Sequence, residues 1–285
     1  MAQSKDFKVF PYMKDEGVSR LKAPRLHFDL LWQFTVRAVE QRHRGSHLGI
    51  IWSVLNPLLM LGLYVTVFGV IFGGSFHPDR TESPLDYAMA VFLGLILFHV
   101  LSETLAAAPT FIVGQPNFVK KVVFPLQILP LSNVGAYWFH FFISLTLLIL
   151  GGLLIGHSFT FYGLMWLPAI LIPHMMLTVG LAWGLSALGV FFRDIMQVTN
   201  FLALVSLYAS AVFFRANAET VPAGVWAVIK WNPFLHTVAQ ARDTLLWNQP
   251  IDLLALGYTW ASGLIAITVG WFMFRKMQPA FADVI

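Results

Sequence analysis

The sequence predicts an all-helical, polytopic membrane protein, and three observations carry that prediction. The apolar fraction is 58% and the charged fraction 11%, against about 25% charge in an ordinary soluble domain. The charges are segregated, with no Asp, Glu, Lys or Arg between Lys121 and Arg193. The apolar runs also do not alternate in polarity, as the ~10-residue strands of a membrane barrel would. A helix crossing the hydrocarbon core needs about 20 apolar residues. Backbone groups in lipid must be paired within the segment, which makes the spans helices.

Six spans are expected, at about 50–72, 87–113, 129–155, 165–191, 195–214 and 253–274. Asn56-Pro57 lies near the start of the first, Glu103 sits in the second, and Gly156-His157-Ser158 turns the third into the fourth. They make up a transmembrane domain over about 50–275. A cytoplasmic N-terminal region, 1–49, precedes it and a cytoplasmic tail, 276–285, follows.

Orientation follows from the basic residues in the flanks. Nine of them, from Lys5 to Arg44, precede the first span. Lys120, Lys121, Arg193, Arg275 and Lys276 fall on the same side. Only Arg80, Arg215, Lys230 and Arg242 fall on the other. Fourteen against four puts both termini in the cytoplasm. The sequence pI near 9.4 then reflects topology, and no nucleic-acid partner is needed to explain it. The first 25 residues are polar and basic with no apolar run directly after them, so no cleaved signal peptide is expected.

Two segments do not read as simple loops. Residues 26–44 have a polar stripe of Asp29, Gln33, Arg37, Gln41 and Arg44 at helical spacing, with Leu31, Trp32, Phe34, Ala38 and Val39 on other faces. This predicts an amphipathic helix along the inner interface; an ordinary cytoplasmic helix is the plainer alternative. Residues 215–250 are rich in Trp and Leu but carry Arg215, Glu219, Lys230, Arg242 and Asp243. Pro222, Pro233 and Pro250 break the segment. It reads as short helices on, or re-entering, the outer interface, with Trp226, Trp231 and Trp247 at headgroup level. A small folded outer cap is the alternative.

Catalytic and metal chemistry find little purchase. There is no cysteine, which excludes disulfides and thiol chemistry. Glu103, His99, His140 and His174 would be costly facing lipid, but no His/Glu motif unites them. Buried hydrogen bonding, or an aqueous boundary, is the simpler reading, and no metal site is expected. Arg37, Arg42 and Arg44 suit anionic phosphates, either of ordinary lipids or of a lipid-linked substrate. Gly180-x3-Gly184 and similar spacings permit close helix approach.

Several strings then point one way. Arg42-His43-Arg44-Gly45-Ser46 leads into Leu48-Gly49-Ile50-Ile51-Trp52-Ser53-Val54-Leu55-Asn56-Pro57. Asn117-Phe118-Val119-Lys120-Lys121 leads into Phe124-Pro125 and Ile128-Leu129-Pro130. Phe192-Arg193-Asp194 separates spans four and five, and Asn232-Pro233-Phe234-Leu235-His236 lies in the outer segment. From about residue 28 onward this pattern resembles the membrane subunit of ABC-type polysaccharide exporters. That family moves lipid-linked O-antigen, teichoic acid and capsule chains. The Arg-Gly-Ser to Asn-Pro string looks more like the O-antigen branch. Two positions depart from the family: His43 stands where an aromatic is common, and Leu126-Gln127 where Arg-Glu is frequent.

The resemblance implies a homodimer in the bacterial inner membrane, with a pore between subunits, working with two copies of a separate ATPase that binds ATP and Mg. It implies a cytoplasmic coupling helix at about 115–124, with Asn117, Phe118, Val119, Lys120, Lys121, Phe124 and Pro125, joined by Arg193 and Asp194, at the ATPase. Phe118 and Phe124 are the candidate apolar knobs there. The interfacial helix becomes a gate carrying Trp32, Phe34, Arg37, Arg42 and Arg44. Re-entrant helices at about 218–246 close the outer side, with Trp231, Asn232, Pro233, Phe234 and His236 as gate residues. Spans one and five become the pore lining, with Tyr64, Phe68, Phe201 and Tyr208 as candidates.

Two observations on the residues bear on this. No Gly-Lys dipeptide occurs, so the chain has no phosphate-binding loop of its own. A hydroxyl-rich glycan cannot cross hydrocarbon unaided, and aromatic faces can stack on sugar C–H faces without demanding one linkage; 26 Phe, 10 Trp and 7 Tyr are available. A gradient-driven secondary transporter would show repeated halves and broken central helices, and an intramembrane enzyme would show a clustered catalytic set. Neither pattern is visible.

Overall fold

The computed structural model describes residues 23–42, 45, 47–71, 76, 83–120, 124–157 and 159–285. Arg44, Lys121 and the side chain of Phe68 lie outside the described residues. The described residues form helices and connecting turns, with no strand among them. In order these are α1 (Ala23–Arg42), α2 (Trp52–Tyr64), α3 (Pro84–Ala107), α4 (Pro116–Lys120), α5 (Ile128–Leu154), α6 (Phe161–Phe191), α7 (Ile195–Tyr208), α8 (Ala223–Ile229), α9 (Pro233–Leu245), α10 (Leu253–Met277) and α11 (Phe281–Val284).

Four helical stretches, beginning at Pro84, Ile128, Phe161 and Leu253, are long and apolar enough to cross a membrane. They match the expected second, third, fourth and sixth spans closely. The first and fifth expected spans are shorter apolar helices, Trp52–Val67 and Ile195–Tyr208. The first is lengthened on both sides: a 3₁₀ turn, Gly49–Ile51, precedes α2, and a π-helix, Val65–Ile71, continues it. The fifth stops at Tyr208, short of the expected 214.

Local chemistry explains the boundaries. Ser83 Oγ accepts from the Asp86 backbone N–H at 3.1 Å and Pro84 takes the first position of α3. Both satisfy helix-end requirements at no cost to the ladder. Asp252 caps α10 by accepting from the Leu254 and Ala255 N–H groups. Gly156, at φ +84°, ends the α5 turn in the left-handed conformation that glycine tolerates.

α3 is the central helix: residues Tyr87 to Phe98 along it are all buried. α5, α7 and α9 pack around it, and α10 runs along α6. The α6–α10 approach is backbone to backbone. A methyl group at Gly180 would collide with the Ala266 carbonyl, and one at Gly270 with the Gly180 carbonyl. Small residues permit such contact where lipid gives no hydrophobic drive between helices. Pro173 inside α6 has no N–H, which leaves the Ala169 carbonyl without its helical donor. The Trp260 indole on α10 donates to that oxygen at 3.0 Å, so the break is repaired by the neighbouring helix.

The bundle has two chemically distinct ends. One holds α1, α4, the α6–α7 turn and the C-terminal α11, joined by an apolar cluster around Ile112, Leu129, Phe274 and Phe281. The other holds the α5–α6 turn and the 209–252 segment. There His157 Nδ1 lies 3.1 Å from Asp86 Oδ1, and Tyr162 Oη accepts from the Ile251 N–H at 3.0 Å.

Candidate functional site

At the first end, three rings meet. Phe34 of α1 lies 5.5 Å from Phe118 of α4 and 5.0 Å from Phe124, and Phe118 and Phe124 are 4.8 Å apart. These centroid distances and the tilted or edge-on geometries are those aromatic pairs prefer. Val119 joins the same cluster. Sequence reasoning placed Phe34 on a gate and Phe118 and Phe124 as knobs for another protein. The structure brings all three together inside one chain, so the rings join the N-terminal helix to the short α4 helix. Asn117 and Lys120 remain exposed. The Pro125 carbonyl accepts from the Ile128 N–H at 3.0 Å and starts α5. Arg193 and Asp194 are exposed at the α6–α7 turn, at this same end.

Phe281 of α11 is fully buried against Phe191 and Phe274. The expected cytoplasmic tail is therefore partly a packed element that braces α4 from behind. A ring every seven residues, Phe274 and Phe281, was a readable signal for it.

Beside α1 lies a cavity of about 350 Å³ between α2, α3 and α5. Arg42, at the last turn of α1, closes one side. Its Nη1 donates to Glu103 Oε2 at 2.7 Å and its Nη2 to Glu103 Oε1. This fork-to-carboxylate pairing is the geometry in which guanidinium binds most specifically. The hydrogen bonds to Glu103 raise the Arg42 pKa above its ordinary value. The Arg42 guanidinium also lies 5.9 Å from the Tyr137 ring centroid. The pair is partly open, with the side chains 40% and 27% exposed. Glu103 was expected to find buried hydrogen bonds or an aqueous boundary. It finds a cation 61 positions away. Tyr64, a candidate for the pore lining, lines this cavity. Trp32 and Arg37 are exposed on α1.

α7 presents an apolar face. Phe201 and Tyr208, each 64% exposed, stand on one stripe with Leu204 and Val205, also exposed. α2 presents Leu58, Leu59 and Leu63 in the same way.

The opposite end is built on hydrogen bonds to the carbonyls of the turn that follows α7, residues 209–213. Asn232 Nδ2 donates to the Ala209 carbonyl at 3.1 Å. Arg242 donates to the Ala211 carbonyl at 2.6 Å and the Val212 carbonyl at 3.3 Å. Tyr87 Oη donates to the Phe213 carbonyl at 2.9 Å. Buried backbone carbonyls require such partners, and here they come from α3, α9 and the Asn232 turn. Asn232 also caps α9, its Oδ1 accepting from the Phe234 N–H at 3.0 Å with Pro233 next in line. Arg242, counted in the sequence among the basic residues of the outer side, is 2% exposed and lies 4.3 Å from the Phe76 ring centroid. Phe234, expected at a gate, is 1% exposed and stacks on the buried His174 at 5.1 Å. Trp231 stays 65% exposed, and half-buried His236 has Nε2 2.7 Å from the Lys230 carbonyl oxygen. Among the described residues no three His, Asp or Glu side chains converge as a metal-ligand set.

Comparison with known proteins matches the sequence of this chain to a family. Residues 29–246 match the ABC-2 type transporter family. The chain is 25% identical over 258 residues to the O-antigen export system permease protein RfbA of Klebsiella pneumoniae, covering 90% of this chain and 95% of that one. It is 29% identical over 254 residues to the protein of the same name from Myxococcus xanthus, covering 89% and 94%. It is 21% identical over 246 residues to the polysialic acid transport protein KpsM of Escherichia coli, covering 86% and 92%. The family match spans both the three-ring junction and the carbonyl-clamped end, and the chain belongs to the ABC-2 type transporter family.

Proposed function

We propose that this chain is the permease subunit of an ATP-driven exporter that moves a lipid-linked polysaccharide, O-antigen first among the classes, across the bacterial inner membrane. The observation that carries this is similarity, over nine-tenths of the chain, to permeases named for O-antigen export. A capsule polymer is the second reading, favoured by the weaker similarity to a polysialic acid transport protein. Family membership leaves the gradient-driven and enzymatic readings without support.

In this reading the chain crosses the membrane six times, because α2 with its π extension and α7 are apolar and join the four longer helices. The end bearing α1, α4, α11 and the basic flanks is cytoplasmic. Two copies pair through the exposed apolar faces of α2 and α7 and enclose the conduit, with Phe201 and Tyr208 toward the glycan. Two copies of an ATPase hold ATP and Mg and dock on α4, using exposed Asn117 and Lys120 with Arg193 and Asp194 nearby. Because Phe118 and Phe124 are engaged by Phe34, motion of the docked α4 is passed directly to α1. The outer α8–α9 segment forms the far gate, with Trp231 and His236 at its surface.

The test is copurification with the ATPase encoded alongside, then ATP hydrolysis measured with and without lipid-linked glycan. Stimulation by the glycan is the expected result. A chain that binds no ATPase, or an ATPase indifferent to the glycan, overturns the proposal.

A further inference from the structure

The cavity beside Arg42 has a use that pore formation does not account for. It sits where α1 ends and α3 approaches the charged end of the bundle, at the level of the inner headgroups in the reading above. Its walls are mixed. Arg42, Glu103, His99 and Tyr137 supply polar groups, while Met60 and Ile96 supply an apolar side. An amphiphile with an anionic head and an alkyl chain has that same division.

We infer that this cavity binds the phosphate-bearing headgroup of the lipid-linked substrate, with the phosphate taking Arg42 from Glu103. The inference rests on the proposed export function. The Arg42 fork now grips a carboxylate through two parallel hydrogen bonds. A phosphate presents oxygens at matching spacing, and a diphosphate carries more negative charge than one carboxylate. Binding is thus an exchange. The arriving phosphate pairs with Arg42, and Glu103 is left beside it as a like charge. That repulsion limits the affinity and speeds release, since Glu103 recovers Arg42 when the headgroup leaves. The exchange also acts on α1, because Arg42 to Glu103 is a direct tie between α1 and α3. An occupied cavity loosens that tie, while the junction at Phe34 holds the same helix to α4. Headgroup occupancy is thereby felt on the helix that meets the coupling segment.

The roles of the two ionised residues are opposite, which makes them separable. Removing Arg42 weakens headgroup binding. Neutralising Glu103 strengthens it, because the competitor is lost and the cation stays.

The test uses the full permease–ATPase complex in nanodiscs of neutral phosphatidylcholine, with fluorescently labelled farnesyl diphosphate as the probe and labelled farnesol as its uncharged control. The wild type is expected to bind the diphosphate at least tenfold more tightly than the alcohol. Arg42→Ala is expected to abolish that preference, Arg42→Lys to retain part of it, and Glu103→Gln to tighten diphosphate binding about threefold to tenfold. Equal binding of diphosphate and alcohol by the wild type overturns the inference, as does weaker diphosphate binding by Glu103→Gln. Nanodiscs containing phosphatidylglycerol separate the two sources of phosphate. Undiminished probe binding there assigns the cavity to the diphosphate; full displacement assigns it to ordinary anionic lipid and overturns the substrate role. If the diphosphate preference is absent while the complex still copurifies and exports glycan, only this inference fails. If no ATPase copurifies and no glycan is exported, the proposed function fails instead.

Discussion

The two ends of the bundle hold their parts in different ways. At the end with the basic flanks, short elements meet through aromatic rings and one partly open ion pair: Phe34, Phe118 and Phe124 in contact, and Arg42 on Glu103. At the other end the carbonyls of 209, 211, 212 and 213 are each gripped by a donor from elsewhere in the chain. Ring contacts tolerate sliding and re-tilting, because offset-stacked and edge-on arrangements are both favourable over centroid separations of about 4.5–7 Å. Hydrogen bonds to buried carbonyls do not, because a displaced donor leaves an orphaned acceptor. The first end is thus built to be adjusted and the second to stay assembled while α8 and α9 ride on it. The proposed function uses both properties, with the first at the end assigned to the ATPase.

The contrast breaks most easily at Arg242. Arg242→Met keeps the volume but strands the Ala211 and Val212 carbonyls, and is expected to cost about 3 kcal/mol. The midpoint of thermal unfolding in detergent should fall steeply; an unchanged midpoint would show that the clamp is dispensable. Asn232 allows a finer cut. Asn232→Ala loses both the α9 cap and the bond to the Ala209 carbonyl, at about 2 kcal/mol, whereas Asn232→Asp keeps the cap oxygen and loses only the donor, at about 1 kcal/mol. Equal destabilisation by the two would mean that the cap contributes nothing.

At the adjustable end, Phe118→Ala removes two ring contacts worth about 1–2 kcal/mol together. Its signature is functional: the variant inserts normally and its complex hydrolyses ATP, while export falls. The smallest effect is expected at Trp260→Phe, which leaves the Ala169 carbonyl without its donor opposite Pro173 and costs about 1 kcal/mol. A thermal midpoint equal to that of the wild type would show that the carbonyl finds another partner.

How far the sequence alone reaches differs between the two ends for the same physical reason. Long apolar runs place α3, α5, α6 and α10 to within a few residues, since bilayer length is a local property. The α7 end at Tyr208 is not local, because it depends on donors at Tyr87, Asn232 and Arg242. Hydropathy therefore carries the helix on to residue 214. Arg242 looked like a flanking charge because nothing near it in sequence shows the carbonyls it serves. Glu103 and Arg42 are paired only by the folding of α1 against the bundle. The Asn-Pro-Phe-x-His string was visible as a pattern, and the structure supplies its physical content: Asn232 as cap and tie, Pro233 as first helical residue, and Phe234 as a buried ring on His174.

In the proposed function α4 drives α1 through the three-ring junction, and the amount of glycan exported per ATP hydrolysed by the reconstituted complex tests that drive. Phe118→Ala is expected to keep at least half of the wild-type hydrolysis rate while that ratio drops about tenfold, in line with loss of contacts worth about 1–2 kcal/mol. A Phe118→Ala complex that exports as much glycan per ATP as the wild type would contradict it.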